Sequence, residues 1–208
     1  LNRLVYEGKP IETGTTFHSS YPENSAMGKI GFNFAEGNQS LGAYYRFTYS
    51  HTDPLNTGTE WMESETPLSR RISGEGNTRN HLVSLYYDNT FADKYHLHFD
   101  GNYKGANNDK ANATTYDDTQ RQGINSSQSQ NSNLWAGKVY LDFPLAKGEF
   151  SVGTQDSYTH TTLDYRMLNQ AVETYIPSSL TDAKQTSLAA FASWTRQFGK
   201  FSLSAGIR

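Results

Sequence analysis

In Leu41-Gly-Ala-Tyr-Tyr-Arg-Phe-Thr-Tyr49 the odd positions are Leu, Ala, Tyr, Phe and Tyr, and the even ones are Gly, Tyr, Arg and Thr. A period of two sends successive side chains to opposite faces, so the stretch reads as a β-strand with one apolar face. Just upstream, Ile30, Phe32 and Phe34 alternate with Lys29, Gly31 and Asn33, and Glu36-Gly-Asn-Gln39 supplies turn chemistry between the two runs. The two runs form a hairpin. Downstream, Val83, Leu85 and Tyr87 lead through Asn89–Asp93 to Tyr95, Leu97, Phe99 and Tyr103. A third hairpin joins Trp135, Val139, Leu141 and Phe143 through Pro144–Gly148 to Phe150 and Val152, and a fourth joins 186–197 through Phe198-Gly-Lys200 to Phe201, Leu203, Ala205 and Ile207.

The eight strands expected are 26–35, 41–51, 80–89, 94–105, 132–143, 149–160, 186–197 and 200–208, with 26–208 as one β-barrel segment and 1–25 as the end of a preceding surface loop. In strand 186–197 Leu188, Ala190, Ala192 and Trp194 are apolar, but so are Ala189 and Phe191, and its faces stay unassigned. Connections within hairpins are short, whereas 52–79, 106–131 and 161–185 are long and polar. Unstructured polar loops of that length are uncommon in compact soluble domains. Short and long connections alternating along an up-and-down sheet are the asymmetry of outer-membrane barrels, with short periplasmic turns and long extracellular loops. Alternating stretches of about 9–11 residues also match what a tilted strand needs to cross the hydrocarbon layer. The fold expected is therefore all-β, an antiparallel up-and-down transmembrane β-barrel.

Composition narrows function. The chain has 208 residues, no Cys, 18 Lys and Arg against 21 Asp and Glu, and a net charge of −3. Disulfide scaffolds, thiolate metal sites and Cys nucleophiles are excluded, and no basic surface invites nucleic acid. Mean hydropathy is −0.73, and no apolar run approaches the ~20 residues of a transmembrane helix. Leu1 is no initiator Met, and Ile207-Arg208 ends in mid-alternation, so the chain reads as a piece of a longer protein. The alternative is a soluble β-sandwich or small-barrel binding or adhesin module, whose apolar face would point into a protein core. It calls for strands of about 5–6 residues.

On the barrel reading, the lipid-facing residues are Ile30, Phe32, Phe34, Leu41, Tyr45, Phe47, Tyr49, Val83, Leu85, Tyr87, Tyr95, Leu97, Phe99, Tyr103, Val139, Leu141, Phe143, Phe150, Val152, Phe201 and Leu203. The lumen-facing ones are Arg46, His96, His98, Asp100, Asn102, Lys104, Lys138 and Asp142. Alternation puts His96, His98 and Asp100 on one face at successive spacings of about 7 Å, long for sharing one metal ion, and polar lumen lining is the favoured reading. Asn107, Asp109, Asp117 and Asp118 offer oxygen ligands for calcium without a twelve-residue calcium-loop pattern. His51, Asp53 and His160 stand near extracellular strand ends, but no strained Gly-x-Ser-x-Gly turn activates a serine. No enzyme and no cofactor are expected.

Phe198-Gly-Lys-Phe-Ser-Leu-Ser-Ala-Gly-Ile-Arg208 resembles the strand-turn-strand ending in Gly-(Leu/Ile)-Arg that recurs in the barrels of TonB-dependent receptors, in particular the Bacteroidetes-type outer-membrane β-barrel family. The hairpins Leu82–Gly105 and Leu134–Gly153 resemble those barrels as well, and the likeness covers about 26–208. It implies a bacterial outer-membrane location and a share in importing a scarce nutrient. The partners it implies are outer-membrane lipid, the plug and remaining strands of the receptor, an unidentified nutrient ligand, and TonB through parts outside these residues. The chain departs from the family pattern in showing no plug, no TonB-contacting segment and no terminal aromatic residue.

Overall fold

The computed structural model describes residues 2–6, 9–62, 66–118 and 120–208, with side chains from Thr13 onward except that of Met62. Among them eleven strands form one antiparallel sheet. They are β1 (Asn2–Tyr6), β2 (Lys9–Ser20), β3 (Glu23–Glu36), β4 (Gln39–Thr52), β5 (Leu55–Met62), β6 (Leu68–Phe91), β7 (Tyr95–Tyr116), β8 (Ile124–Leu145), β9 (Gly148–Met167), β10 (Ser179–Phe198) and β11 (Phe201–Ile207), with a one-turn helix α1 (Gln170–Glu173) before β10. This is the up-and-down all-β architecture that the alternation predicts. The sheet does not close on itself: among the described residues β3 pairs only with β4, and β11 only with β10.

Two pairs of strands are single long strands with a fault in them. β2 passes into β3 through Tyr21-Pro22, and β4 into β5 through Asp53-Pro54, so β6 pairs with β5 along its first quarter and with β4 along most of the rest. Proline has no N–H to give the ladder, and the two prolines lie side by side. The gap is bridged by Asp53 N–H donating to the Pro22 carbonyl at 3.1 Å and Gly74 N–H to that of Pro54 at 2.8 Å.

Four tight turns lie on one edge. Gly37 (φ 58°) and Gly199 (φ 58°) each take the first central position of a two-residue turn, where a positive φ suits the strand twist and glycine adopts it freely. In the β8–β9 turn both central residues, Ala146 (φ 52°) and Lys147 (φ 61°), are left-handed without being glycine. The β6–β7 turn uses Ala92 and Asp93 in the same region.

The long connections differ from expectation. Strands β6 to β10 run 20–24 residues, about twice what a membrane crossing needs. Most of the described part of 52–79, 106–131 and 161–185 is therefore strand, with 66–67, 117–118, 120–123 and 168–178 outside the strands. Residues 1–25 are likewise not the end of a loop: β1 pairs with β2, and β2 with β5. Residues 1, 7–8, 63–65 and 119 of those expected loops lie outside the described residues. Seven of the eight expected strand ranges lengthen accordingly, 26–35 to Glu23–Glu36 and 94–105 to Tyr95–Tyr116, for example, while 200–208 is observed as Phe201–Ile207. These extensions carry polar residues on both faces, so no apolar period of two marks them. Cross-strand polar pairs hold them instead: Asn107 to Asn131 at 2.6 Å, Ser129 to Asp109 at 2.6 Å and Ser132 with Thr161 at 2.9 Å.

The sheet is a single layer. Among the described residues Met167, 6% exposed, is the one buried hydrophobic side chain. A β-sandwich needs a second sheet and a small barrel needs closure, and neither is present among the described residues.

Candidate functional site

With no core, the chemistry of the chain lies on the two faces of the sheet. Register fixes which residues share a face, because every second residue stays in a row across the strands. One row runs Ile30, Tyr45, Val83, Tyr103, Trp135 and Tyr158. The next rows toward the tight turns are Phe32, Ala43, Leu85, Gly101, Gly137, Asp156 and Leu188, then Phe34, Leu41, Tyr87, Phe99, Val139, Thr154 and Ala190. Below them Leu97, Leu141, Val152, Ala192 and Ile207 align, and lowest come Phe143, Phe150, Trp194 and Ala205. Phe47, Tyr49, Tyr95, Phe201 and Leu203 have the same parity.

This apolar face is bordered by aromatic rings above and below. The lower border stacks Phe91 on Tyr95 (5.4 Å between centroids), Tyr95 by Phe143 (6.2 Å) and Phe143 by Phe150 (5.3 Å). In the upper border Tyr103 meets Trp135 at 4.3 Å, and the Tyr45 hydroxyl bonds His81 Nδ1 at 2.7 Å. Tyr95 to Tyr103, Phe143 to Trp135 and Phe150 to Tyr158 are each eight residues. That is about 27 Å along a strand, or about 20 Å through the layer at a tilt near 45°. Aromatic girdles flanking an apolar band of about that height are what an outer-membrane wall presents to lipid.

The opposite face carries Arg46, His96, His98, Asp100, Asn102, Lys104, Lys138 and Asp142. His98 lies between two carboxylates, with Nδ1 against Asp88 and Nε2 2.6 Å from Asp100 Oδ2. Asp142 accepts a hydrogen bond from the Ser151 hydroxyl, and its Oδ2 lies 3.7 Å from His96 Nδ1. Lys138 reaches over the rings of Tyr140 (4.5 Å) and Phe191 (5.8 Å). Phe191 thus belongs to this polar face and Leu188, Ala190, Ala192 and Trp194 to the apolar one, which assigns the strand whose sequence was ambiguous. Three tyrosines of the polar face stand opposite glycines: Tyr44 by Gly31, Tyr86 by Gly42 and Tyr140 by Gly153. A Cβ at Gly153 would come 2.2 Å from the Val139 carbonyl oxygen, so only glycine fits.

Other sequence candidates are not gathered into one site. Asn107 and Asp109 are bonded across to β8, while the Asp117 carboxylate accepts the Ser69 N–H at 2.9 Å and that of Asp118 the Gln120 N–H at 2.9 Å. Among the described residues no group of three His, Asp or Glu is placed to hold a metal ion. His160 bonds Asp182 at 2.9 Å, and His51 bonds Asp53 at 3.1 Å and Asn77 at 3.0 Å. Four strand spacings, about 19 Å across the sheet, and four residues along it separate the two histidines. Hydrogen bonding with Asn77, joined by the charge of Asp53, holds the His51 pKa above its ordinary value against partial desolvation. Bonding to Arg166 lowers that of the Asp164 carboxyl, and bonding to His160 that of Asp182. Sequence reasoning missed Asp156 on the apolar face, although the run Phe150, Val152, Thr154, Asp156, Tyr158 displays it.

A one-layer sheet of overlong strands, with an aromatic-bordered apolar band on one face and charge on the other, is a stretch of outer-membrane barrel wall. Residues 89–208, more than half of the chain, match the outer membrane protein beta-barrel family, and the chain belongs to it and to the bacterial outer membrane. Among solved structures it is similar to the unliganded ferric citrate transporter FecA, at 10% identity over 89% of this chain and 27% of that one, with a TM-score of 0.53. It is also similar to BauA, the ferric preacinetobactin receptor of Acinetobacter baumannii (11% identity, 90% of this chain, 30% of that one, TM-score 0.51). The receptor FpvA of P. aeruginosa, bound to a heterologous pyoverdine, is similar at 11% identity over 93% of this chain and 36% of that one, with a TM-score of 0.51. The chain thus spans about a third of the length of the receptors whose fold it shares. No curated protein sequence matches it.

Proposed function

We propose that the chain is part of the wall of a TonB-dependent receptor that imports a scarce nutrient, with its apolar face in outer-membrane lipid and its polar face on the water-filled lumen. The observation that carries this is the pairing of a sheet left open at β3 and β11 with strands of 20–24 residues. Such a sheet needs further strands on both sides to satisfy its edges, which makes a wide barrel. The residues expected to touch lipid, from Ile30 to Leu203, share the apolar face, and those expected in the lumen, from Arg46 to Asp142, share the other. The remaining strands and a plug are the partners within the receptor. The proteins it resembles in fold include a transporter and a receptor by name, which supports a reading as transporter rather than enzyme.

The test is uptake by the intact receptor in a host stripped of its own receptors, supplied in turn with ferric citrate, ferric pyoverdine, copper and a peptide mixture. Rescue of growth on one supply, lost when TonB is deleted, is expected. Rescue that survives TonB deletion, or steady channel conductance in planar bilayers, would show an open pore instead.

A further inference from the structure

We propose that Asp156 and the groove beside it hold an outer-leaflet glycolipid, whose amide or hydroxyl donors meet the carboxylate while an acyl chain lies over Gly137. The inference rests on the apolar face meeting lipid, as proposed above.

Asp156 stands two residues below Tyr158 on β9, about 7 Å along the strand and about 5 Å deeper in the membrane. It therefore lies just beneath the upper aromatic border, on the apolar face. Gly137 faces it on β8 and Leu188 on β10. Among the described residues its carboxylate has neither a hydrogen bond nor an ion pair. An ionisable group at this depth points to a function and a partner.

The surroundings are shaped for one. Gly137 leaves an open stretch of floor, and the Phe99 ring leans over its partner Gly101, 3.1 Å from where a Cβ would stand. Phe99, Trp135, Tyr158 and Leu188 wall a groove of about 480 Å³ around it. That volume falls in the range of ligand sites. The groove lies against the apolar band, the medium an acyl chain takes.

Depth selects the lipid chemistry. Phosphates and headgroup ammonium groups lie outside the aromatic border, and a phosphate would be repelled by the carboxylate. Amide N–H and hydroxyl groups of an N-acylated amino sugar lie where the acyl chains begin, level with Asp156. Those donors make charge-assisted hydrogen bonds to a carboxylate, among the stronger kinds.

The test uses the intact receptor in nanodiscs of phosphatidylcholine, which carries no N–H or hydroxyl donor, doped with lipid A, an N-acylated amino-sugar lipid. Native mass spectrometry then counts retained lipid. One lipid A per protein is expected in the wild type. Asp156→Asn should lower its retention about tenfold, the loss of a charged hydrogen bond. Gly137→Leu should abolish it by filling the groove, since a Cβ there meets nothing nearer than the Asp100 carbonyl at 3.8 Å and folding is spared. Equal retention by wild type and both variants, equal retention of phosphatidylcholine, or a protein recovered in place of lipid would overturn the proposal. Bimane on Leu97→Cys in the same nanodiscs reports the face separately. Lipid contact at 97 without lipid A at 156 refutes this inference alone, whereas no lipid contact at 97 refutes the face assignment.

Discussion

Trp194 on β10 donates its indole Nε1–H to the carbonyl of Leu145 at 2.9 Å, reaching across β9 to the start of the β8–β9 turn. Its ring covers Gly148, where an added Cβ would come 2.7 Å from Nε1. The lowest aromatic border thereby caps a turn as well as facing the interface. Trp194→Phe keeps an aromatic ring but loses the hydrogen bond and part of the indole area, so it should destabilise by about 1 kcal/mol or more in urea unfolding. A loss no larger than that of a neutral surface change would show that the contact contributes nothing.

The same turn is strained. Ala146 and Lys147 both occupy the left-handed region, which costs a non-glycine residue about 1 kcal/mol or more. Lys147→Gly should therefore stabilise the protein by about 0.5–1 kcal/mol, part of the relief being offset by the entropy glycine adds to the unfolded chain. The midpoint of thermal loss of the compact form on semi-native gels checks this, and a lowered midpoint would contradict it.

The two faces should answer differently to charge. Leu141→Arg on the apolar face should cost about 2–4 kcal/mol and impair assembly, while Asn102→Arg on the polar face should stay within about 0.5 kcal/mol. Asp142 is a poor control, because Ser151 and His96 engage it. Assembly yields in membranes that did not distinguish the two substitutions would remove the assignment of lipid and lumen.

His51 stands above the upper aromatic border, with its two ring nitrogens facing Asn77 and Asp53. Only the imidazolium donates to both. Its raised pKa means that this contribution is fully present below the unfolded value of about 6.5 and is lost as pH rises through the folded value. Because Asp53 donates its amide to Pro22 beside the proline fault, raising pH from about 6 to about 8 should speed exchange of the Asp53 and Gly74 amides beyond the intrinsic rate. His51→Gln should lack that excess, and an unchanged pH profile in this variant would assign the effect elsewhere.

The membrane-crossing part of the fold was legible because lipid and water impose opposite demands on alternate residues. Val83, Leu85 and Tyr87 face one medium and Ser84, Tyr86 and Asp88 the other, and that contrast is written in the sequence. Above the upper border the contrast vanishes. Asn107, Asn131 and Thr162 are as polar as loop residues, and only pairing with already ordered neighbours makes them strands. Residues 1–25 escaped notice for the same reason, with Pro10 and Pro22 adding a false punctuation. The faces of 186–197 were hidden because alanine fits either medium, and register to β9 was needed to place Phe191. Asp156 was visible as a letter but not as an exception until the apolar row around it was drawn.

From Tyr103 in the upper border to Tyr116 at the end of β7 the wall continues for about 44 Å of strand, or about 30 Å of height. The wall of which these strands form part therefore rises beyond the aromatic border by about as much as a bilayer is thick. In the receptor proposed above, a solute arriving from the medium would give up lateral wandering long before membrane depth and move thereafter along one axis.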